Sequence, residues 1–128
     1  MRPTVHEIAV IEPQRRWVSE LRRQFAAESV RIRHCADGSS AVNLLRDGHP
    51  RILVCVLYDP ARCLALLEKL QRRELPVSTI VISSPDLSEL ELPIRELGAT
   101  MFLIEPLDGH ELAAACRRQW REERQEAR

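Results

Sequence analysis

Glycine is scarce in this 128-residue chain: Gly38, Gly48, Gly98 and Gly109 are all there is, and none follows the first apolar run. A nucleotide-cradling loop needs glycine there, so the dinucleotide and P-loop fingerprints are missing. The four cysteines, Cys35, Cys55, Cys63 and Cys116, form no CxxC pair. Nor do His6, His34, His49 and His110 make an HxxxH or HExxH pattern, so neither a metal site nor a cofactor is expected. The cysteines sit among apolar neighbours and read as small core residues in a reducing cytosol. No hydrophobic run approaches the roughly 20 residues that cross a bilayer. Met1-Arg2-Pro3-Thr4 opens no signal peptide, so a cytoplasmic location without membrane contact is expected. Nineteen basic residues balance nineteen acidic ones. The excess positive charge of a direct nucleic-acid binder is therefore lacking.

What the chain does have is a clean alternation of apolar patterns. A composition of 45% hydrophobic and 30% charged residues is that of a globular domain, and the length suits one. Residues 1–120 are expected to form that domain, with 121–128 a charged tail whose end frays. Glu7 to Ile11 is a short buried strand ended by Glu12-Pro13. Pro13 is expected to open a helix with Trp17, Val18, Leu21 and Phe25 inward. Val30 to Cys35 alternates apolar and basic residues, as an edge strand does. Ser39 or Ser40 is expected to cap a helix carrying Ala41, Val42, Leu44 and Leu45, which Gly48 and Pro50 stop. Ile52 to Leu57 is six apolar residues in a row, the mark of a central parallel strand covered on both faces. Tyr58-Asp59-Pro60 leads into a helix with Leu64, Leu67 and Leu70 inward. Thr79 to Ile82 and Met101 to Ile104 supply two more strands, and Leu112, Cys116 and Trp120 share a face of the last helix. Pro93 would cost about 3 kcal/mol in a helix interior. The fourth helix is therefore expected to start near Leu92, after an irregular Asp86 to Glu91.

Alternating strands and helices with right-handed crossovers predict an α/β fold. It is a (βα)5, flavodoxin-like three-layer sandwich with a five-stranded parallel sheet in the order 2-1-3-4-5. Ligands of such sheets bind at the carboxyl ends of the strands. Function is accordingly sought at Glu12-Pro13, Leu57 to Asp59, Ser83-Ser84 and Glu105-Pro106.

Two of these places carry a family resemblance. Pro50 to Pro60 (PRILVCVLYDP) and Gly98 to Leu107 (GATMFLIEPL) resemble the third and fifth strands, with their flanks, of the CheY-like receiver domains of two-component response regulators. The resemblance spans essentially the whole chain. It implies signal transduction without enzymatic activity, through an aspartate ending the third strand that accepts a phosphoryl group. Two acidic residues after the first strand hold magnesium, and a hydroxyl and a lysine contact the phosphoryl oxygens. Position by position, much of that set is missing here. Glu12 matches the first acidic position, but Pro13 stands at the second. Val56 occupies the phosphoacceptor position, Ser83 the hydroxyl position, and Glu105 the place of the lysine. Phe102 matches the aromatic that rotates on activation, and the Glu105–Pro106 bond is expected to be cis as in the family.

A carboxylate about 4 Å from a phosphoryl charge is repelled by roughly 4 kcal/mol per charge at an effective dielectric of about 20. The resemblance thus implies a degenerate pseudo-receiver that acts by protein contact. A second reading makes Asp59 a displaced phosphoacceptor in a phosphorelay; the plainer one makes it a turn residue before Pro60. A third, a small-ligand or nucleotide sensor, meets the missing glycine loop. Glu12 and Glu105 together with Ser83 are weighed as a divalent-cation site against side chains that point into water or pair with an arginine.

The surface then becomes the place to look. Family members contact partners or form homodimers through the fourth helix, fifth strand and fifth helix. The matching residues are Arg95, Phe102, Glu105, Asp108, Glu111 and Trp120. From Ser83 to Glu111, Asp86, Glu89, Glu91, Glu96, Glu105, Asp108 and Glu111 face one cation, Arg95. Arg15, Arg16, Arg22, Arg23, Arg31 and Arg33 make the opposite end basic, a polarity that suits a protein partner. Trp120 is expected to pack in the core, or to anchor an interface if exposed.

Overall fold

Five strands alternate with five α-helices: β1 (His6–Ile11), α1 (Arg16–Gln24), β2 (Val30–Cys35), α2 (Gly38–Arg46), β3 (Ile52–Leu57), α3 (Pro60–Arg72), β4 (Ser78–Ser83), α4 (Glu91–Glu96), β5 (Met101–Ile104) and α5 (Gly109–Glu126). A 3-10 helix, Pro85–Leu90, precedes α4. The computed structural model describes residues 6–48 and 50–126. The readings placed on Met1-Arg2-Pro3-Thr4, on His49 and on residues 127–128 lie outside the described residues.

The strands form one parallel sheet in the order β2-β1-β3-β4-β5, as expected for the flavodoxin-like class. β3 lies at its centre, and all its residues but Val56 are buried, which is why that stretch tolerates no polar side chain. β2 is an edge strand, and its basic residues Arg31 and Arg33 reach solvent while Ile32 and Cys35 turn inward. One apolar layer joins the sheet to α1 and α5; the other joins it to α2, α3 and α4. With four free cysteines, burial holds the fold together, each enclosed Ile or Leu contributing about 1.5–3 kcal/mol.

Several local expectations are corrected. α1 starts at Arg16 rather than at Pro13, because the Glu12 side chain reaches past the turn to the amides of Trp17 and Val18. α2 is capped by Asp37, not by Ser39 or Ser40: its carboxylate accepts the Ser40 N–H at 2.8 Å. Hydrogen bonds from Ser40 hold the Asp37 carboxyl below the usual range. On α3, Cys63 and Leu66 join Leu67 and Leu70 inside, while Leu64 is only half-buried. Pro93 falls in the first turn of α4, where its missing N–H costs no helical bond, and the stretch before it is 3-10 rather than irregular. The charged stretch from Arg121 continues α5 as helix to Glu126.

Candidate functional site

At the carboxyl edge, the first carboxylate belongs to Glu12. It is 2% exposed, and its two oxygens accept the backbone N–H groups of Trp17 (Oε1, 3.0 Å) and Val18 (Oε2, 2.8 Å). These are among the orphan donors of the helix start, and the macrodipole adds to their attraction for an anion. The Glu12 carbonyl oxygen in turn lies 3.0 Å from His34 Nε2. Both Glu12 oxygens are therefore occupied within the protein, which replaces the expectation of a solvated side chain.

Val56, the penultimate residue of β3, is half-buried and packs against the apolar layer beneath α1 and α5. Ser83 ends β4 opposite Leu57, fully buried, and its hydroxyl donates to the Ser84 carbonyl at 2.7 Å. Glu105 follows β5, tied by its N–H to the Ser83 carbonyl at 2.8 Å, and the Glu105–Pro106 bond is cis. Its carboxylate meets Arg16 Nη1 at 3.0 Å, joining the start of α1 to the end of β5. Arg16 also lies over the Trp17 ring, 4.4 Å from its centroid. The arginine pairing weighed for one of the two carboxylates is thus what Glu105 does. Arg16 lies 89 residues from Glu105, so no sequence spacing signals the pair.

Asp59 is the N-cap of α3. It accepts the Arg62 N–H at 3.3 Å, and its other oxygen lies 3.4 Å from Arg62 Nε. Beside it, between the start of α2 and the face of α3, a cavity of about 320 Å³ opens to the surface. Ile11, Asp37, Val56, Tyr58, Arg62 and Lys69 are among its walls.

No family model matches this chain, and no curated protein matches it by sequence. Its backbone, however, superposes closely on solved structures. A signal receiver domain from Vibrio parahaemolyticus is similar at TM-score 0.84 and 17% identity, over 97% of this chain and 96% of that one. The signal receiver domain of an HD domain-containing protein from Pseudomonas fluorescens Pf-5 follows at TM-score 0.79 and 19% identity, covering 99% and 95%. The receiver domain of TorR, the response regulator of the TMAO respiratory system, gives 0.78 and 20%, covering 91% and 98%. The chain has the receiver fold.

A receiver fold implies a magnesium ion held by the acidic residues after β1, and the residues here do not fit one. Glu12 is spent on two amides, and Pro13 offers no side-chain ligand. Among the described residues, no group of three or more His, Cys, Asp and Glu gathers as a metal site would require. The described helices include none long and apolar enough to cross a membrane.

The residues expected on the partner face of the receiver divide in two. Arg95 is on the surface, ion-paired with Glu91 at 2.8 Å and reaching the Thr100 carbonyl at 3.4 Å. Asp108 caps α5 by accepting the Glu111 N–H at 2.7 Å, with both residues exposed. Phe102 and Trp120, by contrast, are not surface residues. Phe102 is 6% exposed and points into the layer under α2, α3 and α4. Trp120 is equally buried, stacked on His6 at 4.3 Å between ring centroids and tilted against Phe25 at 5.6 Å. The apolar groups that do emerge there are Leu92 of α4, 67% exposed, and Ile104 of β5, 42% exposed. Composition hides them, because an exposed leucine looks like a core one.

Proposed function

We propose that this chain is a phosphorylation-independent pseudo-receiver: a non-enzymatic cytoplasmic signalling module that works by protein contact. The observation that carries the reading is Val56 at the end of β3, where a receiver's nucleophile stands and where this side chain has no atom able to attack phosphorus. Its surroundings support the same reading. The Glu105 charge is already matched by Arg16, and Glu12 by the amides of α1, so the pocket is electrostatically satisfied without an incoming anion or cation. Against Asp59 as a displaced acceptor stands its engagement as the α3 cap and Arg62 partner.

The contact surface we assign is that of α4, β5 and the start of α5. Leu92 and Ile104 supply exposed apolar area, and Asp86, Glu89, Glu96 and Glu111 lend it negative charge. A basic protein surface complements it, and a second copy offers one through Arg15 and Arg22, both exposed on the α1 side. Sedimentation velocity over a concentration series is expected to show self-association that acetyl phosphate and Mg²⁺ leave unchanged. Leu92→Glu with Ile104→Glu is expected to weaken it at least tenfold. Association that appears only with the phosphodonor would overturn the reading.

A further inference from the structure

Cys55 and Cys63 stand apart from the other buried thiols. Cys55 is in β3, Cys63 in the first turn of α3, and the two sulfurs are 3.9 Å apart. Both line the cavity of about 320 Å³ that opens between α2 and α3, so a small solute reaches them without unfolding the core. We propose that this dithiol is an oxidation site: a hydroperoxide entering the cavity converts it to a Cys55–Cys63 disulfide that pins β3 to the start of α3.

The chemistry balances in two steps. The Cys63 thiolate attacks one oxygen of the hydroperoxide; the O–O bond breaks, the alcohol or water leaves with a proton, and Cys63 becomes a sulfenic acid. The Cys55 sulfur then displaces that hydroxyl, forming the S–S bond and releasing water. Overall the two thiols lose two electrons and two protons, and the hydroperoxide is reduced. The order follows from the pair's own hydrogen bond. Donated by Cys55, it draws the Cys63 thiol below the ordinary range, while that bond and burial push Cys55 well above it.

Closure asks for little movement, since the sulfurs need to approach by about 1.9 Å to reach the bonded distance of about 2.05 Å. Topology rules out Cys35 as a partner of Cys55, and Cys116 as a partner of either sulfur. Cys35 pairs in register with Ile11, and Ile11 with Cys55, so Cys35 and Cys55 are two strand spacings apart. That is about 9.6 Å, beyond the roughly 7 Å a disulfide spans. Cys116 lies on the opposite face of the sheet. Burial raises the Cys35 thiol and pushes Cys116 up to about 12, which leaves both poorly reactive.

The test treats the folded protein with hydrogen peroxide, alkylates what remains free, and maps peptides by mass. Titratable thiols are expected to fall from four to two, with a Cys55–Cys63 linked peptide that dithiothreitol releases. The double variant Cys35→Ser with Cys116→Ser should still form the bond, and Cys63→Ser should not. Four free thiols after treatment, a bond to Cys35 or Cys116, or oxygen added to Cys63 without the linkage would each overturn the proposal. The wild-type peptide map decides this even if a serine variant fails to fold.

Discussion

Replacing Glu12 with alanine is expected to lower the melting temperature by about 12 °C. Its carboxylate is enclosed and accepts two amides of the α1 start, at 3.0 and 2.8 Å. Hydrogen bonds to a charged acceptor contribute about 1.5–3 kcal/mol each, and donors left buried without a partner carry a further penalty. The lower end of that range, with the freed amides at the helix start taking up water, gives a loss of about 3 kcal/mol, at about 4 °C per kcal/mol for a domain of this size. Glu12→Gln, which keeps one acceptor oxygen, should lose about half as much. Thermal unfolding followed by circular dichroism measures both. A shift below 2 °C for Glu12→Ala would mean that the carboxylate is free, and the cation-site reading of Glu12 would regain its ground.

Trp120→Ala is expected to cost still more, about 3–5 kcal/mol, as removal of a large enclosed aromatic does. The side chain fills the space between His6 of β1 and Phe25 at the end of α1, so its loss opens a cavity where α5 closes over the sheet. Denaturant unfolding at low protein concentration gives the number directly. An interface anchor would behave differently, leaving the monomer's stability intact and weakening association instead. The two outcomes separate the core role from the surface one.

The sheet was legible because its signals are local. Six apolar residues in β3 admit only a strand buried on both faces, and the basic alternation of β2 places it at an edge. Pro93 and Gly98 marked the bounds of a short α4, and Gly98 indeed takes a φ of +101° that side chains resist. The positions at the strand ends were legible too, by their likeness to a family. What those residues do was not. Glu12 sits five and six positions ahead of the amides it binds, outside the spacing at which caps are normally sought. Arg16 and Glu105 meet across 89 positions, a contact made only when α1 and β5 flank the same sheet edge. The same holds for α1 and α5 themselves, packed so closely that a Cβ at Gly109 would come 2.5 Å from Glu20 Oε2. Cys55 and Cys63 carry no motif; they meet because β3 and the first inward position of α3 share one apolar layer. Trp120 packs in the core as its helical spacing with Leu112 and Cys116 predicts, whereas Phe102 was placed on a partner face because the likeness supplied a face without supplying its solvent exposure.

The proposal that the strand ends carry no phosphoryl chemistry is most directly tested by intact mass spectrometry. The protein is incubated with acetyl phosphate and Mg²⁺ and then measured under acid conditions that preserve acyl phosphates. The expected spectrum is that of the unmodified chain, for the wild type and for Asp59→Asn alike. The mass of one added phosphoryl group in the wild type, lost in Asp59→Asn, would contradict the account.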